Sequence, residues 1–200
     1  MPNTPFAKIP YPSGSDAPAA AADMMAAFMT MDSRLVLPAI DEADRDAKYY
    51  DAPVSTLVVS GDSQKIWLKR GPNPSDWLTI WEDTGWVTQG FVVQSGWSND
   101  NMSARRFGRN INIRGQLTRT GGDISFPGNG NIADMDIVSV PPQFRPESTA
   151  PPVPGVARFT RTTGGAELYS HGLIRVMDGH ANADVVTGEY VRFNFSYLAV

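Results

Sequence analysis

Two histidines, His171 and His180, are the only imidazoles in the chain, and cysteine is absent. Nine residues apart, the histidines have neither the spacing of a helical metal pair nor the alternation of a strand pair. A Ser-His-Asp triad is recognised by geometry and not by order, but no serine stands in a G-x-S-x-G elbow. Without cysteine there is no thiolate ligand, no disulfide and no thiol nucleophile. Asp41, Asp44 and Asp46 form a carboxylate cluster that suits the positive N-terminal end of a helix better than a cation. The loop Gly121–Asn131 (GGDISFPGNGN), with Asp134 and Asp136 beyond it, offers oxygen ligands of the kind Ca²⁺ takes. It lacks the EF-hand pattern, and turn chemistry is the simpler reading. A glycosidase needs two placed carboxylates, whose separation a sequence does not show. P-loop and dinucleotide fingerprints are missing. The expectation is a protein that is not an enzyme and carries no cofactor and no metal.

The residues better suited to contact than to reaction are aromatic. All five tryptophans, Trp67, Trp77, Trp81, Trp86 and Trp97, fall in one window of 31 residues. An exposed Trp face can stack on a sugar ring, while in a small β unit Trp more commonly supplies core bulk and subunit contacts. Arg105, Arg106 and Arg109 could meet an anionic host polymer or simply solvate a strand edge. Residues 1–103 carry 7 basic and 13 acidic side chains, and residues 104–200 carry 10 basic and 8 acidic, every base there being Arg. A nucleic-acid footprint needs a larger, clustered basic excess, so no nucleic-acid partner is expected. No apolar run approaches the ~20 residues of a membrane span, and Met1–Tyr11 has no apolar core of the signal-peptide kind.

The elements that must position these residues can be read along the chain. With 18 Gly and 16 Pro among 200 residues and many short apolar runs, the pattern is that of a mainly β protein. Residues 1–15 are spaced by Pro2, Pro5, Pro10 and Pro12. They read either as an unstructured terminus or as an extended arm that docks on a neighbouring protein through Phe6, Ile9 and Tyr11. Asp16 and Pro18 open a helix expected to run to about Leu37 and stop at Pro38. Ala21, Met24, Phe28, Met31 and Leu35 are spaced 3, 4, 3 and 4, a heptad seam. Two heptads do not hold a coiled coil alone. The chain has no second long helix to pair with, which favours a short parallel bundle of copies over packing on its own domain.

Asp41 caps a shorter helix, and strands follow at Ser55–Val59, Lys65–Lys69 and Trp77–Trp81. In the last of these, Trp77, Thr79 and Trp81 alternate with Leu78 and Ile80 and share one face. From about Gly90 a separate antiparallel β domain is expected. Ile111, Ile113, Gly115 and Leu117 alternate with Asn112, Arg114 and Gln116. Val191, Phe193, Phe195, Tyr197 and Ala199 alternate with Arg192, Asn194, Ser196 and Leu198. Weaker candidates lie at Asp123–Phe126, Asp134–Val140, Ala157–Arg161, Ala166–Ser170 and Leu173–Met177, and Pro141–Pro154 reads as a surface crossover. The spacing predicts a β-sandwich, jelly-roll-like. The expected divisions are an arm and oligomerisation helix over 1–40, a helix and Trp-rich β-meander over 41–89, and the sandwich over 90–200.

Several of these segments together resemble a known pattern. The run from Glu42 (EADRDAKYYDAP), a strand-turn-strand, and the closing TGWV are similar to a segment of tail fibres and minor tail proteins of tailed bacteriophages. IPYPSGSDAP followed by an Ala-rich helix is similar to minor tail proteins of phages of actinobacteria. SARRFGRNINIRGQLTRTGG, then NIADMDIVSVPPQFRP and a final alternating strand, looks like the terminal β domain of such fibres, with Val140–Pro146 matching its "FRP" piece. The resemblance implies a homotrimeric virion protein, attached to other virion proteins by its N-terminus, whose distal C-terminal domain meets host surface glycan. Alternatives are a capsid or baseplate decoration fibre without a receptor role, and a polysaccharide hydrolase.

Overall fold

The computed structural model describes residues 20–32 and 36–199. It divides into two compact units, the first ending at Glu82 and the second beginning at Asp83.

The first unit contains α1 (Ala20–Asp32), β1 (Val36–Ala39), α2 (Glu42–Lys48), β2 (Leu57–Ser60), β3 (Lys65–Lys69) and β4 (Trp77–Glu82). The four strands form one sheet in the order β1-β2-β3-β4, with β1 parallel to β2 and the other pairs antiparallel. The first helix is shorter than expected. It ends at Asp32, and Val36–Ala39 is an edge strand in which Pro38 sits. Pro is tolerated there because one side of an edge strand needs no donors. Asp41 caps α2 as read, its Oδ1 accepting from the Asp44 N–H at 2.8 Å, while Asp44 accepts from the Ile40 N–H at 2.9 Å. These reciprocal bonds satisfy donors a helix start leaves open.

Direct pairing of Val58 with Trp67, and of Lys69 with Trp77, puts one sheet face toward a small core of Ala39, Val58 and Trp67, joined by Leu37, Tyr49 and Trp77. Arg45 of α2 is buried there, its guanidinium 4.8 Å from the Trp67 ring centroid and 5.1 Å from that of Trp77. Lys69 is also buried. Its Nζ donates to the carbonyls of Asn73 (2.6 Å) and Pro74 (3.0 Å) and lies 4.9 Å over Trp77. Two cations thus take the place of aliphatic bulk, paired with ring faces and carbonyls that offset their desolvation.

The second unit contains β5 (Val92–Val93), β6 (Trp97–Phe107), β7 (Asn110–Arg119), β8 (Ile124–Ser125), β9 (Asn131–Ser139), a 3₁₀ turn (Pro142–Phe144), β10 (Val153–Phe159), β11 (Thr163–Leu168), β12 (Leu173–Asp178), β13 (Asp184–Val185) and β14 (Tyr190–Leu198). Eight of these strands make one antiparallel sheet, in the order β5-β9-β12-β11-β10-β14-β7-β6, that nearly closes on itself. β8 and β13 form a separate two-stranded ribbon. Two stacked sheets in a jelly roll were expected, but the strands are hydrogen-bonded neighbours in a single curled sheet. Curling lets one face enclose a core that a sandwich would enclose between two. Ile111, Ile113, Leu117, Val191, Phe193 and Phe195 point into that core as their alternation requires, and Ile137, Leu168 and Ile174 meet them from other strands. Gly115 is opposite Phe193, and a Cβ there would lie 2.0 Å from Met102 Sδ, so the missing side chain makes room for core bulk. The unit starts earlier than the expected boundary near residue 90 because Asp83 and Val87 bridge to Phe107 and Ala104 of β6.

Candidate functional site

The outer face of the eight-stranded sheet gathers the residues that β6, β7, β14 and β10 turn away from the core. Residues directly opposite in an antiparallel ladder share a face. The register therefore lines up Asn101, Gln116, Arg192 and Arg158 in one row, and Ser103, Arg114, Asn194 and Val156 in the next.

One end of this surface is set by the segment that enters the unit. Val87 N–H donates to Ala104 O at 2.8 Å, and Ala104 N–H returns the bond at 2.9 Å. Asp83 takes Arg105 by two hydrogen bonds, from Nε at 2.8 Å and Nη2 at 2.5 Å, and also accepts from the Gly85 N–H at 2.9 Å. The bond from Arg105, reinforced by Gly85, holds the Asp83 carboxyl below the usual carboxylate range. Gly85 turns with φ +60, a conformation glycine adopts freely, and Trp86 follows it onto the outer face. The Trp86 ring is 43% exposed, and the Arg114 guanidinium lies 3.9 Å from its centroid.

A β-bulge supplies the next group. Asn99 pairs with Leu117 and Asn101 with Gln116, which leaves Asp100 as the extra residue. Its carboxylate accepts from Gln116 Nε2 at 3.0 Å and Thr118 Oγ1 at 2.5 Å. Gln116 Oε1 in turn accepts from Arg192 Nε at 2.6 Å, and the Arg192 guanidinium lies 4.4 Å from the Tyr190 ring centroid. The order Asp100, Gln116, Arg192 uses the amide as donor on one side and acceptor on the other, which fixes its orientation. Between Asp100, Asn101, Arg114, Gln116 and Arg192 the surface forms a depression of about 650 Å³. An exposed ring beside ordered planar donors and acceptors is suited to holding a flat polyhydroxylated ligand.

The other residues singled out from sequence fall elsewhere. Trp67 and Trp97 are core residues at 0% and 7% exposure, which rules them out as sugar contacts. Trp77 and Trp81 are half-buried. A register shift in β4 makes Ile80 the bulged residue and puts Trp81 opposite Ile66, so Trp81 does not share the face of Trp77 and Thr79. Met24, Phe28 and Met31 of the heptad seam are exposed by 57%, 58% and 37%, and Met25 and Met29 are exposed beside them. The side chain of Ala21, and Leu35, Phe6, Ile9 and Tyr11 altogether, lie outside the described residues. His171 rests against Tyr169, and His180 Nδ1 meets the Ala181 carbonyl at 2.9 Å. Asp134 and Asp136 bind Arg175, and Asp123 accepts from Thr187. Arg105 serves Asp83, while Arg106 and Arg109 donate to the carbonyls of Gln143 and Ala199. Among the described residues, no three His, Asp or Glu side chains converge as metal ligands do.

Sequence reasoning named Trp86 but not Asp100, Arg158, Tyr190 or the pairing of Gln116 with Arg192. The alternation that marks Arg114, Gln116 and Arg192 as outward-facing was its available signal. Compared with protein-family models and with curated protein sequences, the chain matches none.

Proposed function

We propose that the chain is a phage virion protein, a short homotrimeric fibre or minor tail protein. Its N-terminal part assembles and anchors, and its C-terminal β domain attaches to the host cell surface. The observation that carries this reading is a contrast of exposed surfaces. In the first unit, the sheet face opposite α2's core presents Val36, Leu57, Val59, Ile66, Leu68 and Leu78, all half-buried or exposed, and Ile80 stands 45% exposed beside them. α1 adds a methionine-rich surface that also carries Phe28. Apolar patches of this kind mark association sites, and the occupant that fits is a second and third copy of the same chain. Three identical copies meet their own apolar faces around one axis, and the arm over residues 1–15 is left to bind other virion proteins. In the second unit, the outer face near Trp86 is lined mainly by Asp100, Asn101, Arg114, Gln116 and Arg192, with Val156 exposed in the next row. Three copies of such a surface turn a weak grip on a host glycan into a firm one by avidity.

Retention of the full chain on cell-wall polysaccharide of an actinobacterium tests the attachment role. The expected result is saturable binding that Trp86→Ala weakens at least tenfold. Equal retention of the variant would remove the outer face from the reading. No retention of either protein would leave a decoration fibre without a receptor role.

A further inference from the structure

Arg158 and Arg192 stand directly opposite each other in the β10–β14 ladder. Like charges in that position repel and destabilise a sheet. Natural sheets relieve such a pair with a carboxylate, yet among the described residues neither guanidinium has an acidic group within ion-pair distance. Arg158 is exposed and makes no side-chain hydrogen bond there, and Arg192 spends only its Nε on Gln116. Arg114, diagonal to Arg192 in the next row, is the same: its Nε meets Ser103 Oγ at 3.2 Å and its flat face lies on Trp86. Every other arginine turned to this face is neutralised, Arg105 by Asp83 and Arg175 by Asp134 and Asp136. Arg114 and Arg192 thus line the depression with open N–H edges, each against an aromatic ring, and Arg158 stands beside it, opposite Arg192 on the neighbouring strand.

Resting on the reading of this face as a saccharide-binding surface, we infer that its ligand is an anionic glycan. A carboxylate or phosphate group on the sugar chain would be gripped between Arg158 and Arg192, with Arg114 and Trp86 beneath the neighbouring ring. Guanidinium forks match planar carboxylate and phosphate oxygens. The ring stacks keep the Arg114 and Arg192 forks oriented, so less freedom is lost on binding. A ligand anion would also supply the counter-charge the Arg158–Arg192 pair lacks, so the repulsion is relieved only in the complex.

The test is titration calorimetry of the full chain with four probes: trigalacturonate, its trimethyl ester, a glycerol-phosphate oligomer and a short single-stranded DNA. The expected result is that trigalacturonate or the glycerol-phosphate oligomer binds, and which of them binds identifies the source of the anion. The ester should bind at least tenfold more weakly, and the acid's affinity should fall as salt rises. Arg192→Gln and Arg158→Gln should each lower affinity about tenfold. Arg158→Gln should leave the melting temperature unchanged or raise it, because it removes a like-charge pair. Equal binding of ester and acid would overturn the anion inference and leave the saccharide site standing. Preference for DNA over both anionic saccharides would overturn the inference in favour of a nucleic-acid surface. No binding of any probe, with the Trp86-dependent retention on cell wall still present, would overturn the inference alone, whereas loss of both would overturn the site.

Discussion

The two units solve the burial problem in opposite ways. The second closes a long sheet on an apolar interior in which Ile111, Ile113, Leu117, Ile137, Val138, Leu168 and Ile174 are wholly inaccessible. It still exposes Val92, Phe107, Val156 and Leu198, but the depression on its outer face is lined mainly by polar groups. Among the described residues, the first has only Ala39, Val58 and Trp67 as buried apolar core and fills the remainder with Arg45, Lys69 and the Trp77 ring, while Leu78 and Ile80 face outward. A few strands cannot surround a core, so the small sheet hides one face and leaves the other in need of a partner. A nearly closed sheet has few edges and a self-sufficient interior, so its outer face is free for recognition. The proposed assembly surface and the proposed binding surface are therefore what each architecture leaves over.

The largest expected effect lies at the centre of the small unit. Trp67→Ala removes its largest wholly buried side chain and one of the two rings around Arg45, at a cost of ~3–5 kcal/mol. Hydrogen-exchange protection of β2 and β3 should collapse. Protection that survives would mean the cation–indole stack is not what holds this unit.

In the second unit, Gly164→Ala would put a Cβ 1.8 Å from the Asp178 carbonyl oxygen, which has no flexible end to yield. The expected loss is about 1–3 kcal/mol, visible as a lower denaturation midpoint and as faster exchange in β11 and β12. An unchanged midpoint would show that the curled sheet is looser than its register implies.

Arg45→Met sharpens the contrast from the other side. It keeps much of the bulk and removes the charge, so the cation–π contribution of about 1–2 kcal/mol should be lost. A gain in stability on equilibrium denaturation would mean that desolvation of the cation outweighs its stacking.

The smallest effect concerns Asp83. Its carboxyl is held below the usual range when folded, so its contribution is present above the unfolded value and lost as the pH falls through the lower, folded one. Protection of the Val87 and Ala104 amides should drop on acidification below about pH 4. Asp83→Asn should flatten that dependence, and an unaltered acid profile in the variant would assign the transition to another carboxylate.

What was legible in the chain follows from the same contrast. β7 and β14 were readable because one of their faces is buried in a continuous interior, which imposes strict alternation, and β3 was readable from the Gly- and Pro-rich turns that bound it. β6 was not, because its outward side is Ser98, Asn101 and Ser103, and its core share is chiefly Met102 and Ala104. β1 was hidden by Pro38, which punctuates a helix and an edge strand alike. The bulges at Ile80 and Asp100 change which residues share a face, and alternation carries no sign of them. The candidate site was half-readable for that reason. Arg114, Gln116 and Arg192 could be assigned to polar faces, but the meeting of Arg158 with Arg192 depends on strand pairing across distant segments.

We propose that the first unit's exposed apolar surface is covered by further copies of the chain. Light scattering on the full chain, beside a Leu78→Lys, Phe28→Asp variant, tests it most directly. A mass three times 21.7 kDa is expected for the natural chain, with a fall toward a single copy in the variant, where buried unpaired charge is costly. A natural chain that stays at one copy at every concentration would contradict it.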